Sequence, residues 1–170
     1  MKYDKRGWAS QNPIKRIFCD FDGVLLNFEE QLFIWANKLR IDQSFGIQYA
    51  FDQLEKHPNY TEQFWATMPW IKNGKELYRF CAEITPTYIL TAPSNNPLSS
   101  YGKHIWINNN LKTMDFALCP AKWACASKDT LLIDDNKKKC DRFMSAGGHA
   151  FLYNPERFED CKEFIKEFLK

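Results

Sequence analysis

Short, uninterrupted apolar runs recur along this chain, and segments of helical periodicity separate them. The runs fall at residues 16–19, 88–90, 131–133 and 150–153, with a weaker one at 116–119. None shows the polar alternation of a strand with one wet face. Each therefore predicts a strand covered on both faces, the pattern of a parallel sheet. Between the runs, residues 75–84 place Leu77, Phe80, Cys81 and Ile84 on one helical face, and residues 101–111 and 136–146 also read as helices. Residues 156–169 group Phe158, Cys161, Phe164, Ile165 and Phe168 in the same way. Strands alternating with helices predict a doubly wound α/β domain. At 170 residues the chain is long enough to bury one such core.

Residues 27–69 break the alternation. They predict helices at 28–39, 48–56 and 61–67, with no strand among them. The expected organisation is a core of residues 1–26 and 70–170, with 27–69 as a small helical cap inserted after the first strand. A formal net charge of +2 gives no bias toward nucleic acid or membrane surfaces. No stretch is long and apolar enough to span a bilayer. Residues 1–11 are polar and lack the apolar region of a secretory signal. The six cysteines form no C-x-x-C pair, which predicts reduced thiols and a cytoplasmic setting.

The chemistry-bearing residues gather where the predicted strands end. The first strand runs into Asp20-Phe21-Asp22-Gly23-Val24. Ligands of open α/β sheets bind beyond the carboxyl ends of the strands. Two carboxylates spaced by two residues can share a cleft there if the backbone turns, and Gly23 permits the turn. Their mutual repulsion is relieved by a divalent cation, and an oxygen-only site suits magnesium. Alone, the tetrad also suits an ordinary surface turn. The second strand leads into Thr91-Ala92-Pro93-Ser94, where a hydroxyl and free amides can cradle a phosphate. The 131–133 run ends in Asp134-Asp135, two adjacent acids that packing does not explain. Upstream lies Lys122, able to balance those carboxylates and hold a phosphate oxygen, with Lys128 as a rival. Lys137-Lys138-Lys139 reads as the solvated first turn of a helix. His57, His104 and His149 form no cluster.

These motifs, in this order, resemble the haloacid dehalogenase (HAD) superfamily. Its pattern is D-x-D-G after the first strand, Thr or Ser after the second, a lysine further on and then a pair of acids. Asp20, Asp22, Thr91, Lys122 and Asp134-Asp135 occupy those places, and the resemblance spans residues 14–153. Its details are most similar to the 5′(3′)-deoxyribonucleotidase subgroup, on residues 20–25, Phe28, Gly74, residues 88–91 and 103–106, and the 131–135 segment. One departure is that Lys122 stands farther from the acids than the family's lysine and is flanked by Pro120 and Trp123.

The resemblance implies a HAD-like Rossmann-type fold and a magnesium-dependent phosphatase acting through an aspartyl-phosphate. Asp20 would be the nucleophile and Asp22 the general acid and base. Asp20, the Asp22 carbonyl, Asp135 and, less directly, Asp134 would hold Mg2+. Thr91, Ala92 and Lys122 would hold the phosphate, with Lys103 either joining them or staying a surface lysine. Phe28 and Trp65 would form the substrate pocket. The expected substrate is a small phosphate ester such as a (deoxy)nucleoside monophosphate. A polynucleotide end phosphatase, a phosphatase for another metabolite and an inactive binding module remain open alternatives.

Overall fold

Five parallel strands in the order β3-β2-β1-β4-β5 carry the computed structural model, which describes residues 13–168. The strands are β1 (Arg16–Cys19), β2 (Thr87–Thr91), β3 (Phe116–Leu118), β4 (Thr130–Asp134) and β5 (His149–Leu152). The helices are α1 (Phe28–Leu39), α2 (Ile47–Glu55), α3 (Pro58–Ala66), α4 (Gly74–Ile84), α5 (Pro97–Asn110), α6 (Lys137–Ser145) and α7 (Phe158–Phe168). Short 3-10 turns cover Lys122–Cys125 and Pro155–Arg157. The predicted α/β fold is the one observed. Residues 1–12, which include the whole polar N-terminal stretch, and residues 169–170 lie outside the described residues.

The absence of polar alternation has its expected consequence. Ile17, Cys19, Ile89, Leu131 and Ile133 face one layer, with Leu77 and Cys81 of α4 and Cys161 and Ile165 of α7. Phe18, Leu90 and Leu132 face the other, against Cys140 and Phe143 of α6. All eight strand residues are at most 9% exposed, so both faces of the sheet are dry. The central strand β1 has β2 on one side and β4 on the other. The strand order reverses there, which makes the carboxyl end of β1 the switch point where such sheets bind ligands.

The three helices between β1 and α4 leave and rejoin the core at one place. Asn27 N donates to Pro69 O at 2.9 Å and Ile71 N to Leu25 O at 2.9 Å. The insertion is then docked rather than tethered. The Trp106 indole donates to Met68 O at 2.8 Å. Asn96 Nδ2 donates to Glu55 O at 3.2 Å, and the Ser94 hydroxyl donates to the Glu55 carboxylate. Helix α3 lies directly on α5, because a Cβ at Gly102 would stand only 2.6 Å from both Glu62 O and Trp65 Cβ.

Two helix starts differ from the sequence expectation. Helices α3 and α5 begin at Pro58 and Pro97, three and four residues earlier than the apolar periodicity indicates. Proline is preorganised for a first turn, where its missing N–H costs nothing. In α5 the cap is completed by the Asn96 side chain, which accepts from Leu98 N at 3.0 Å.

The α3–α5 contact yields a test. Gly102→Ala forces the two helices apart and should lower the unfolding free energy by about 1–3 kcal/mol, read as a reduced urea midpoint. An unchanged midpoint would mean the insertion is not held by this contact.

Candidate active site

Strand register brings the first acids together. Cys19 is level with Ile133, so Asp20 emerges beside Asp134, and Asp20 N donates to Ile133 O at 2.9 Å. Asp20 is only 2% exposed and Asp134 is fully buried. Two unscreened carboxylates in such a place would be prohibitive without partners. The partner is Lys122, itself 1% exposed, from the 3-10 turn after β3. Its ammonium lies 2.6 Å from Asp20 Oδ1 and 2.7 Å from Asp134 Oδ2. Phe21 N adds a 2.7 Å bond to Asp20 Oδ1, and Asn136 N a 2.9 Å bond to Asp134 Oδ1. Lys122 rather than Lys128 meets these two acids.

Asp22 is held separately. Lys103, completely buried, places its ammonium 2.6 Å from Asp22 Oδ2, 2.9 Å from Thr91 Oγ1 and 3.0 Å from Ala92 O. The surface reading of Lys103 is therefore wrong. Ser99, Lys103 and Trp106 form the buried face of α5 at spacings of four and three, and the lysine reaches the site from inside the molecule. Thr91 and Ala92 hold this lysine as well as lying at the end of β2.

Lys139 was expected to be solvated with its neighbours. Instead its ammonium lies 3.3 Å from Asp20 Oδ2. The reason is helical: Asn136 caps α6 by accepting from Lys138 N and Lys139 N. That cap puts Lys139 four residues after Asp135, on the same side of the first turn. The i,i+4 spacing was the available signal.

Asp20, Asp134 and Asp135 each offer an oxygen within 4.8 Å of the others. Gly23 makes this possible, since at its φ of +76° a Cβ would collide with the Asp135 carboxylate. The electrostatics follow from the packing. Burial raises the Asp134 carboxyl to about 7, with Asp20 adding to the rise. Burial and then Asp20 raise Asp135 to about 6. Burial likewise raises Asp22, against the pull of Lys103. Asp20 alone moves down: burial pushes it up, but Lys122 and Lys139 outweigh that push. The site thus holds Asp20 below the ordinary carboxylate range and Asp22 above it, disposed to carry a proton.

The insertion supplies the wall. Phe28 packs against Phe51, Phe64 and Trp65 at centroid distances of 5.2, 5.6 and 5.8 Å. The Trp65 ring lies 4.3 Å from the Lys103 ammonium, which joins this aromatic cluster to Asp22. Trp65 Nε1 and Asp22 Oδ1 are both buried without a hydrogen-bond partner among the described residues. Among the described residues no helix is long and apolar enough to cross a membrane.

The chain matches no protein-family model and no curated protein sequence. Solved structures do share its fold. A HAD-family enzyme from Bacteroides thetaiotaomicron, an aspartate-to-alanine variant in complex with magnesium and inorganic phosphate, is 18% identical; the match covers 81% of this chain and 93% of that one, with a TM-score of 0.53. A HAD-superfamily hydrolase from Ehrlichia chaffeensis is 14% identical, with coverages of 95% and 100% and a TM-score of 0.54. A haloacid dehalogenase-like hydrolase from Xanthomonas campestris is 9% identical, with coverages of 91% and 97% and a TM-score of 0.57. The protein has the HAD-like Rossmann fold.

The buried lysine gives a direct test of the electrostatics. Lys122→Met leaves Asp20 and Asp134 without their shared ammonium and should cost about 3–5 kcal/mol in urea unfolding near neutral pH. Without Lys122, Asp20 loses the largest pull that lowers it and Asp134, already raised, rises further, so lowering the pH protonates them. The deficit should therefore shrink between about pH 8 and about pH 5. A deficit independent of pH would show that the loss is one of packing.

Proposed function

We propose that this protein is a HAD-type, magnesium-dependent phosphomonoester hydrolase. The observation that carries the proposal is the arrangement around Asp20. The Asp20 carboxylate, held below its ordinary range by Lys122 and Lys139 against burial, stands at the switch point of the sheet. It is flanked by two further acids, by lysines on both of its oxygens, and by Asp22 on a buried lysine of its own. Phosphoryl transfer needs a positioned nucleophile, a proton carrier and concentrated positive charge around the equatorial oxygens, and these residues supply all three.

Asp20 attacks phosphorus in line. An aspartyl oxygen–phosphorus bond forms as the bond to the leaving oxygen breaks. Asp22, with its raised pKa, gives a proton to the departing alkoxide. It then takes a proton from the water that attacks the aspartyl-phosphate, which releases inorganic phosphate and restores Asp20. Lys103 holds Asp22 in place and, with Lys122 and the Thr91 hydroxyl, offers positive and donor groups to the phosphate oxygens.

The acidic cluster fits a hard divalent cation. Three carboxylate oxygens within 4.8 Å of one another suit a metal with ligand distances of about 2.1 Å, and the raised values of Asp134 and Asp135 record burial and, after it, a repulsion from Asp20 that such an ion would relieve. Asp20, Asp134, Asp135 and the Asp22 carbonyl are its proposed ligands. When bound, magnesium supplies Lewis-acid neutralisation of the phosphoryl charge. The magnesium and phosphate bound by the Bacteroides enzyme support the same reading.

For the substrate we propose a nucleoside monophosphate, as in the 5′(3′)-deoxyribonucleotidases, with residues 27–69 acting as the cap. The support is the cluster of Phe28, Phe51 and Trp65 beside Lys103, together with the unpartnered Trp65 N–H. Aromatic faces stack on bases of any sequence, and a free indole donor can read an oxygen acceptor.

Asp20→Asn keeps the shape and removes the nucleophile. Phosphate release from a nucleoside monophosphate should fall by about three orders of magnitude or more, and chelation of magnesium should abolish it in the parent protein. Near-parental turnover by Asp20→Asn would rule out the covalent route. Phe28→Ala separates chemistry from substrate choice. It should raise KM for the nucleotide by about tenfold, the worth of one stacking contact, while turnover of glycerol phosphate stays close to parental. Equal losses on both substrates would remove the base-stacking role.

A further inference from the structure

We infer that Lys139 is a built-in counter-ion of the acidic cluster: its ammonium occupies the cluster when no metal is present, and a divalent cation must displace it to bind. The inference rests on the metal site proposed above. It concerns what this chain's own residues do when that site is filled and emptied.

Lys139 is placed to compete. It sits 3.3 Å from Asp20 Oδ2, the oxygen that Lys122 does not hold, since Lys122 and Phe21 N share Oδ1. Its surroundings are the same three acids that converge on one point. Burial alone would lower the Lys139 ammonium, yet Asp20, Asp134 and Asp135 together carry it above its ordinary range.

Lys139 is also placed to leave. The Lys103 and Lys122 side chains are 0% and 1% exposed, enclosed by the bonds that fix them, whereas that of Lys139 is 36% exposed. It stands in the first turn of α6, where the helix dipole disfavours a cation. Only the acids hold it there. A dipositive ion at Asp20, Asp134 and Asp135 cancels that attraction and repels the ammonium, so the side chain turns out to water. Competition and repulsion act in the same direction, and both weaken metal binding. In return the metal-free cluster is partly neutralised, so the empty protein keeps its acids together.

The test is magnesium titration of the metal-free protein by calorimetry. Lys139→Met, or Lys139→Gln should the first not fold, is expected to bind magnesium about tenfold more tightly than the parent, because a like charge a few ångströms away has gone. Lys139→Arg is expected to bind as the parent does. Without magnesium, the neutral variants should melt below the parent and gain more from the added ion. A second readout needs no variant: acetylation of Lys139 by acetic anhydride, followed by peptide mass spectrometry, should increase when magnesium is added. Magnesium affinity that is unchanged or weaker in the neutral variants overturns the inference, as does Lys139 labelling that magnesium leaves unchanged or reduces. An absence of saturable magnesium binding in every protein overturns the metal site itself and this inference with it.

Discussion

The ammonium of Lys122, buried between Asp20 and Asp134, is the interaction on which the rest of the site depends. It ties the end of β1 to the end of β4 through a residue from the segment after β3. Neither carboxylate could stay ionised at that depth by itself, and the lysine could not stay charged without them. Such a triad is poor evidence for stability, since its desolvation cost is of the same order as its attraction. Its value is geometric. It holds Asp20 Oδ1 on Lys122 and leaves Oδ2 to Lys139.

The rest of the fold keeps this cluster at fixed spacing. The sheet sets the separation of Asp20 and Asp134 through one rung of register. The left-handed turn at Gly23 makes room for Asp135. Helix α5 carries Lys103 inward because its buried face continues past the lysine to Trp106, and that indole is anchored on the insertion at Met68. The insertion is therefore coupled to Asp22 by a short path: α3 lies on α5, Trp65 lies by Lys103, and Lys103 holds Asp22.

Much of this was legible in the sequence. Apolar runs without alternation predict the parallel sheet that is observed, and acids that follow two of the predicted strands do converge. What was not legible has a common physical cause. A sequence pattern separates apolar from polar, but it does not tell a solvated charge from a paired one. Lys139 reads as a surface residue and Lys103 as either a surface or a site residue, yet both lie on acids contributed by distant segments. Ser99 is similar, fully buried because its hydroxyl accepts from Ser94 N. The starts of α3 and α5 were missed because a proline-led first turn carries little apolar periodicity. Helical spacing did hold usable information in two places. Lys103 shares a face with Ser99 and Trp106, and Lys139 stands one turn beyond Asp135.

The three lysines of the site are graded, and the grading carries a consequence. Lys103 and Lys122 are enclosed and each serves two or more partners, so their charges are part of the scaffold. Lys139 is half in water and has one close carboxylate partner, so its charge is conditional. Against them stand four acids, of which burial and mutual repulsion have already raised Asp22, Asp134 and Asp135. With all of them ionised, the four acids and three lysines leave the cluster a net charge of −1, or −2 if Lys139 departs. That second state is the one a dipositive ion neutralises. On the proposed reading, a buried site that accepts a divalent ion and then an anionic substrate needs at least one charge it can move, and the lysine placed to supply it lies on the helix that follows the acidic pair.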